Sequence, residues 1–277
     1  MNLKKLLTIN PEYPPAALTT GLTVFLAIIY TLSWFPRTNL NESWSLNTDS
    51  LFHLKTFSKL STYPLIHLSL LHLLCNVFAI FVPLTIFETN HGTIYTGVIL
   101  NLLAIFTGVF YCFAGTILYP NVSIAGASGW CFTFWGYFAL QESRIRPRYE
   151  NFAHISGLNI PTVAVPIVML FVIAFLVPGS SFPGHALGLM FGYLMGWKEN
   201  WVAMIVPPSW IIVKIEKVVD KLIALIPFGL TYYKEENMDR SREYNSVWTS
   251  ENSLLPLTNE VRVVNTPAQG GRVLGTL

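Results

Sequence analysis

Long apolar runs recur along most of the sequence, and they restrict the chain to folds that a bilayer allows. A transmembrane helix needs about 20 consecutive, mostly apolar residues. Only 12% of the 277 residues are charged, against roughly 25% in soluble domains. Window hydropathy indicates six spans, at residues 16–35, 60–87, 93–114, 122–140, 160–177 and 182–197. The sequence therefore predicts an all-α, polytopic membrane protein with six transmembrane helices.

Charge and cysteine usage argue against several classes of function. The net charge is only +2, which provides no footprint for a nucleic acid. The cysteines Cys75, Cys112 and Cys131 fall inside apolar runs, at spacings that build neither a disulfide framework nor a zinc site. We interpret them as small buried hydrophobic residues, and we expect no metal and no cofactor.

Basic residues are distributed unevenly between the predicted loops, and the side of a membrane protein that carries them is cytosolic. With six spans, one side holds all of the following: Lys4, Lys5, Arg144, Arg146, Arg148 and Lys198. Both termini are therefore predicted to be cytosolic, and the first span is expected to be retained rather than cleaved as a signal peptide. Asn41, which begins a glycosylation sequon, is then lumenal.

The chain changes character after the sixth span. Between residues 211 and 226, apolar side chains recur every three or four residues with lysines between them, which indicates an amphipathic helix in the membrane interface. Its predicted apolar face consists of Ile212, Ile215, Val219, Leu222 and Ile226. A helix packed on the cytosolic ends of the spans would show the same pattern.

The remaining sequence, from residue 231, is polar and unpatterned, which predicts a disordered cytosolic tail. We expect this tail to carry sorting or partner contacts rather than chemistry. The predicted organisation is a cytosolic N-terminus (1–15), a six-span core (16–198), an interfacial segment (199–230) and the tail (231–277).

Polar clusters interrupt the apolar runs, and polar side chains inside a bilayer are costly enough to be candidates for function. The first cluster, Gly126-Ala127-Ser128-Gly129, lies in the fourth span. Glycines beside a serine allow close backbone approach, and the N–H groups at a helix start can hold an oxyanion. Small-residue motifs in membrane helices more often serve packing, so this cluster alone indicates either a nucleophile or a packing site.

The second cluster places His185, Gly188 and Gly192 at i, i+3 and i+7 of the sixth span, on one face of a helix. The glycines let a neighbouring helix approach the same face that presents the imidazole. A packed histidine or a proton relay is also compatible with this pattern.

The third cluster lies in the second span, where His72 and Asn76 share a helix face at i and i+4. Both side chains can donate hydrogen bonds. Metal binding by His67 and His72 is the competing interpretation, but an i, i+5 spacing turns two side chains about 140° apart on a helix. Hydrogen-bond donation is therefore favoured over metal binding.

Together the clusters supply the groups that acyl transfer requires, namely a nucleophile (Ser128), a base (His185) and two oxyanion donors (His72 and Asn76). The spans offer no carboxylate to orient His185, which implies a dyad rather than a triad.

The ordered set His67-x4-His72-x3-Asn76, Gly-Ala-Ser128-Gly and His185-x2-Gly188-x3-Gly192 resembles the signature of the rhomboid family of intramembrane serine proteases. The resemblance implies a six-span rhomboid bundle in which Ser128 is the nucleophile and His185 the general base and acid. His72, Asn76 and the backbone N–H of Ser128 would form the oxyanion hole. It also implies a structural role for Glu88, and it places Phe132 where many relatives have a tyrosine stacked on the catalytic histidine.

The resemblance extends to expectations about partners and location. It implies single-span membrane proteins as substrates, cleaved within the lipid bilayer, while the tail would contact cytosolic partners. Segments such as 63–70 and 125–132 resemble Golgi members of the family, which implies a Golgi membrane. A non-catalytic rhomboid-like protein that escorts membrane clients is the main alternative, and a transporter is a more distant one.

Overall fold

The part of the chain that the structure describes is mostly helical, which confirms the predicted class. The structure is a computed structural model, and it describes residues 15–35, 38–120, 122–152, 155–177, 179–198, 204–227 and 229–240. Its helices are α1 (Ala17–Ser33), α2 (Leu40–Trp44), α3 (Lys59–Thr62), α4 (Leu70–His91), α5 (Thr93–Leu118), α6 (Ser128–Ile145), α7 (Val165–Leu176), α8 (Phe182–Trp197), α9 (Ser209–Val218) and α10 (Asp220–Ile223).

Two pairs of short strands connect loops of the bundle, one pair before α6 and one after it. Strand β1 (Leu46–Asn47) pairs antiparallel with β2 (Ser123–Ile124), and β3 (Arg148–Tyr149) pairs antiparallel with β4 (Ile160–Pro161). The first pair ties the loop after α2 to the residues that lead into α6.

Two helices among the described residues are both long and apolar enough to cross a membrane. These are α4 and α5, while α1 and residues Thr162–Leu176 are apolar but shorter. Large apolar side chains point outward along the helices, among them Phe78, Phe113 and Phe175, as expected of surfaces that face lipid.

Helix α4 begins ten residues later than the predicted second span. The chain first makes a 3₁₀ turn over Tyr63–Leu65 and then runs extended through two buried residues, Ile66 and His67. Ser69 caps α4, and its hydroxyl accepts a hydrogen bond from the backbone N–H of His72 at 3.1 Å. A serine cap of this kind satisfies a donor that the helix itself leaves unpaired, so the cap defines the start of α4.

Helix α6 begins at Ser128 rather than at residue 122. Gly126 adopts a φ of +114°, a left-handed conformation that side chains other than glycine rarely tolerate. Its N–H donates to the carbonyl of Tyr63 at 2.9 Å, which holds the loop against the turn before α4. The predicted fourth span therefore divides into a loop and a helix that starts at the serine.

The backbones of α6 and α8 pack in direct contact with each other. A Cβ atom added to Gly188 would lie 2.4 Å from the carbonyl oxygen of Gly129, and one added to Gly192 would lie 2.1 Å from that of Thr133. The Thr133 hydroxyl lies 2.9 Å from the carbonyl of Gly188 and donates across the interface. Lipid provides no hydrophobic force between helices, so close contact of this kind is what holds membrane helices together.

Glu88, near the end of α4, binds the start of α1. Its carboxylate is fully buried and accepts the backbone N–H groups of Leu18 and Thr19, each at 2.8 Å. The Thr93 hydroxyl donates to it at 2.9 Å. The first N–H groups of a helix lack intrahelical partners and favour negative charge, so Glu88 caps α1 and joins it to the turn between α4 and α5.

Residues 229–240, the C-terminal segment, lie against this same end of the bundle. The N–H of Ala17 donates to the carbonyl of Thr231 at 2.9 Å, and the Tyr233 carbonyl accepts the N–H of Thr93 at 3.0 Å. Arg240 donates to the carbonyl of His91 at 2.8 Å. The tail that the sequence predicts to be disordered begins at residue 231. Its first ten residues differ from that prediction: they pack on the core, because they form hydrogen bonds with backbone groups there. The rest of the tail, 241–277, lies outside the described residues.

Helix α9 packs on the C-terminal segment through a buried carboxylate. Glu216 is 5% exposed, and it accepts the N–H of Glu235 at 3.0 Å and the hydroxyl of Tyr232 at 3.0 Å. Burial, and after it the neighbouring Glu216 carboxylate, raises the pKa of Tyr232, so the phenol stays protonated and donates.

The predicted apolar face of α9 and α10 is divided between two surroundings. Of its five residues, Ile212 is buried against the protein, at 1% exposure, and Val219 and Ile226 are half-buried. The other two, Ile215 and Leu222, point outward and form an exposed stripe with Val218 and Leu225, which the prediction did not include. The sequence pattern fits both a packed helix and an interfacial one, and the helix has an apolar surface for each.

Adding one methyl group at Gly192 should separate α6 from α8. We expect Gly192→Ala to destabilise the protein by about 1–3 kcal/mol or more, the usual cost of overpacking, and to lower the Tm measured in detergent. Gly21→Ala is the matched control, because a Cβ at Gly21 in α1 would meet no described atom within 4 Å. Equal Tm values for the two variants would contradict the close contact.

Removing the C-terminal segment should loosen the end of the bundle that Glu88 organises. A chain that ends after Pro227 loses the backbone pairings of Thr231 and Tyr233, and we expect a clearly lower Tm. A chain that ends after Arg240 keeps them and should melt like the full-length protein. If both truncated chains melt alike, the segment does not stabilise the core.

Candidate active site

Ser128 and His185 meet at the end of the α6–α8 interface. The Nε2 atom of His185 lies 2.8 Å from the Oγ atom of Ser128, which is an ordinary hydrogen-bond distance. Ser128 is the first residue of α6, and His185 lies in the first turn of α8. The glycine contacts one and two turns further along bring the two side chains to this distance.

Two sets of contacts position His185, one to its ring and one to the backbone at the start of α8. The ring of Phe132, one turn after Ser128, stacks on it with centroids 4.7 Å apart and planes 26° apart. At the helix start, Ser181 accepts the N–H of Gly184 through its hydroxyl at 3.2 Å and the N–H of His185 through its carbonyl at 3.0 Å. No described residue makes a hydrogen bond to Nδ1 of His185, so the ring is oriented by stacking on Phe132 and by the Ser128 hydroxyl at Nε2.

His72 and Asn76 lie against the loop that precedes Ser128. A Cβ atom added to Gly126 would come within 2.5 Å of Cε1 of His72 and 3.4 Å of Nδ2 of Asn76. Gly126 is therefore required both for its positive φ and for the space that these side chains occupy. Nδ2 of Asn76 is buried and has no hydrogen-bond partner in the described structure, so it is a donor without an acceptor next to the loop that leads to the serine.

His67 binds the same loop through its buried side chain. Its side chain is 1% exposed, and its Nε2 atom accepts the N–H of Ala127 at 3.4 Å. The rings of His67 and His72 lie 5.0 Å apart and are tilted by 59°. Across the described residues, no group of three or more His, Cys, Asp or Glu side chains could hold a metal ion, and the expectation of no cofactor stays a prediction.

The structure brings the four predicted site residues, Ser128, His185, His72 and Asn76, to one place from three helices. Sequence reasoning missed the part that His67 plays, because its position outside the helix could not be read from an i, i+5 spacing. It also treated the cysteines alike, whereas Cys75 is exposed and Cys112 and Cys131 are buried. The proximity of Cys131 to Asn76 has no counterpart in the spacing of the two residues.

The arrangement provides the elements of acyl transfer. An imidazole hydrogen-bonded to a serine hydroxyl can take its proton during attack on a carbonyl. The N–H groups in the first turn of a helix have no intrahelical partner, and the unpaired Nδ2 of Asn76 lies against the loop that leads into this turn. Donors placed in this way can stabilise the charge of a tetrahedral intermediate.

A helical membrane protein with a site of this kind belongs to the class of membrane serine hydrolases, and the comparison with known families is more specific. The Rhomboid domain family matches residues 54–201, which include all four predicted site residues. The chain belongs to the rhomboid family.

Relatives within this family are similar over nearly the whole chain. Rhomboid-type serine protease 2 of Saccharomyces cerevisiae is 52% identical over 264 residues, which cover 95% of either chain. The protein of the same name from Kluyveromyces lactis is 49% identical, over 99% of this chain and 100% of the relative. This chain is accordingly a rhomboid-type serine protease, and the non-catalytic alternative is not favoured.

Proposed function

We propose that Ser128 is the nucleophile and His185 the general base of this protease. The observation that carries the proposal is the 2.8 Å separation of Ser128 Oγ and His185 Nε2. His185 takes the serine proton as Oγ attacks a peptide carbonyl. It then returns a proton to the leaving amine, and water releases the acyl group by the reverse sequence.

The oxyanion that forms would be stabilised by His72, Asn76 and the backbone N–H of Ser128. Support comes from the contacts of both side chains with Gly126 and from the unpaired Nδ2 of Asn76. A buried donor without a partner costs free energy in the resting protein. The cost is recovered when a substrate oxyanion becomes its acceptor.

Cleavage within the bilayer follows if the helices span it as six segments. We propose that α1, α4, α5, α6, α7 and α8 are these spans and that residues 16–198 form the proteolytic core. Substrates would be single-span membrane proteins, because the site lies between membrane helices. Since a helical peptide bond hides its carbonyl, substrates with glycine or proline near the lumenal boundary should be preferred.

The proposed orientation places both termini in the cytosol and the site towards the lumen, in a Golgi membrane. The outward stripe that contains Ile215 and Leu222 would rest on the lipid interface. Lys214, Lys217 and Lys221 are exposed beside it and would reach anionic headgroups. Residues 199–230 would thus anchor the core, while the tail beyond residue 240 would contact cytosolic partners.

Loss of the serine hydroxyl should abolish proteolysis without affecting the fold. We expect Ser128→Ala to show no cleavage of a single-span substrate in proteoliposomes and a Tm close to that of the wild type, because alanine fits a position built for a small residue. Ser143→Ala is the control, since Ser143 lies at the other end of the same helix and its hydroxyl donates to the Leu140 carbonyl at 2.7 Å. Cleavage by Ser128→Ala near the wild-type rate would exclude it as the nucleophile.

Removing one oxyanion donor should slow turnover without abolishing it. We expect Asn76→Ala and His72→Ala each to reduce kcat by about 10²–10³ with smaller changes in KM, because the donors act on the charge of the transition state. Single-turnover and steady-state assays on the purified protein would measure this. Wild-type kcat in both variants would refute the assignment.

Topology and location can be tested together in cells. Deglycosylation should decrease the mass of the protein, and Asn41→Gln should remove that shift, because Asn41 is exposed and would face the lumen.

A protease site inserted after Arg148 should be cleaved from the cytosolic side of sealed vesicles that co-fractionate with Golgi markers. Protection of that site would reverse the proposed orientation.

A further inference from the structure

The thiol of Cys131 lies directly beside Asn76, in a position that the reaction itself does not use. Its Sγ atom is 3.5 Å from the backbone carbonyl oxygen of Asn76 and 3.8 Å from its side-chain oxygen, Oδ1. Both oxygens are within reach of a weak S–H donor, whose single proton they share as acceptors. Cys131 is 3% exposed and lies three residues after Ser128 on α6, so it approaches Asn76 from the helix that carries the nucleophile.

The two ends of the Asn76 side chain differ in their surroundings. Oδ1 has the thiol within reach, whereas Nδ2 has no partner among the described residues. Nδ2 is directed to the loop before the nucleophile, 3.4 Å from where a Cβ of Gly126 would lie. Asn76 as a whole is 5% exposed. Solvent therefore does not give the two ends of its amide the same hydrogen-bonding surroundings.

An amide is nearly symmetric in shape, and only hydrogen bonding decides which of its ends points in which direction. Only the NH₂ end can stabilise an oxyanion, because the carbonyl end would repel it. A thiol donates through its single proton and accepts weakly. Beside Cys131, the orientation with Oδ1 towards sulfur is therefore favoured, and this orientation presents Nδ2 to the site.

We propose that Cys131 is a positioning residue of this protease, which holds the Asn76 amide with its NH₂ group directed into the oxyanion hole. The inference rests on the proposed role of Asn76 as an oxyanion donor. Cys131 touches neither substrate nor reacting atoms, and it acts through the population of correctly oriented amide. Its loss should lower kcat and leave KM unchanged, because the amide contributes to the transition state rather than to substrate binding.

The test compares purified full-length variants on a single-span substrate in proteoliposomes. Cys131→Ala and Cys131→Val both remove the donor, one by shrinking the side chain and the other by replacing it with a purely apolar group. We expect each to lower kcat on the order of tenfold, a part of the 10²–10³ that loss of a whole oxyanion donor costs. Cys131→Ser keeps a donor and should be faster than either.

A matched control separates this effect from the general loss of a buried thiol. Cys112 is also buried, but its Sγ atom lies 3.4 Å from the carbonyl of Asn47 in the loop after α2. Cys112→Ala should therefore leave kcat within about twofold of the wild type. A loss in Cys112→Ala as large as that in Cys131→Ala would overturn the proposal.

A double-mutant cycle with Asn76→Ala provides the decisive readout. Once the amide is absent there is nothing left to orient, so Cys131→Ala and Cys131→Val should each change kcat by less than about twofold in that background. An undiminished loss in that background would mean that Cys131 acts by packing alone, and the inference would be wrong. The Val variant carries the test if the Ala variant does not fold.

The cycle also distinguishes failure of this inference from failure of the proposed function. If Asn76→Ala lowers kcat and both Cys131 variants turn over at the wild-type rate, only the positioning role is excluded. If Asn76→Ala itself has wild-type kcat, the oxyanion role of Asn76 fails and the inference fails with it. The assignment of Ser128 and His185 is tested separately by Ser128→Ala.

Discussion

The backbone contact between α6 and α8 is the constraint on which the rest of the site depends. Gly188 and Gly192 leave no space for a side chain against the carbonyls of Gly129 and Thr133. Close packing replaces the hydrophobic force that lipid does not supply, and the Thr133 hydroxyl bridges both backbones. Because the contact is between backbones, it defines the distance between the first turns of the two helices, where Ser128 and His185 lie.

A second constraint acts on the loop that leads into the nucleophile. Gly126 bonds to the carbonyl of Tyr63, and the buried ring of His67 accepts the N–H of Ala127. Both contacts come from the stretch before α4, which consists of the 3₁₀ turn and the extended residues after it. The same stretch therefore defines the start of the helix that carries His72 and Asn76, and it positions the start of the helix that carries Ser128.

At the other end of the bundle, buried carboxylates replace glycines as the organising groups. Glu88 caps α1, and Glu216 binds the backbone and side chains of the C-terminal segment. A buried carboxylate is tolerable when several N–H or O–H donors surround it, and both of these groups meet that condition. The candidate catalytic residues and the carboxylates that bind α1 and the C-terminal segment thus lie towards opposite ends of α4. This separation limits how far a change at one end disturbs the other.

The sequence by itself determined the helical class, the rhomboid motifs and the four candidate site residues, because spacing along a helix is a local property. The bounds predicted for the sixth span coincide with those of α8, Phe182–Trp197, since polar residues, Ser181 and Lys198, flank this mostly apolar stretch. Only the tertiary structure decided the start of α4, the packing of residues 231–240 on the core and the contact of Cys131 with Asn76. The start of α4 combines a local cap at Ser69 with the distant bond between Gly126 and Tyr63. The other two features depend wholly on hydrogen-bond partners far apart in sequence. The thiol and the amide are separated by 55 residues, and no local periodicity encodes such a pairing.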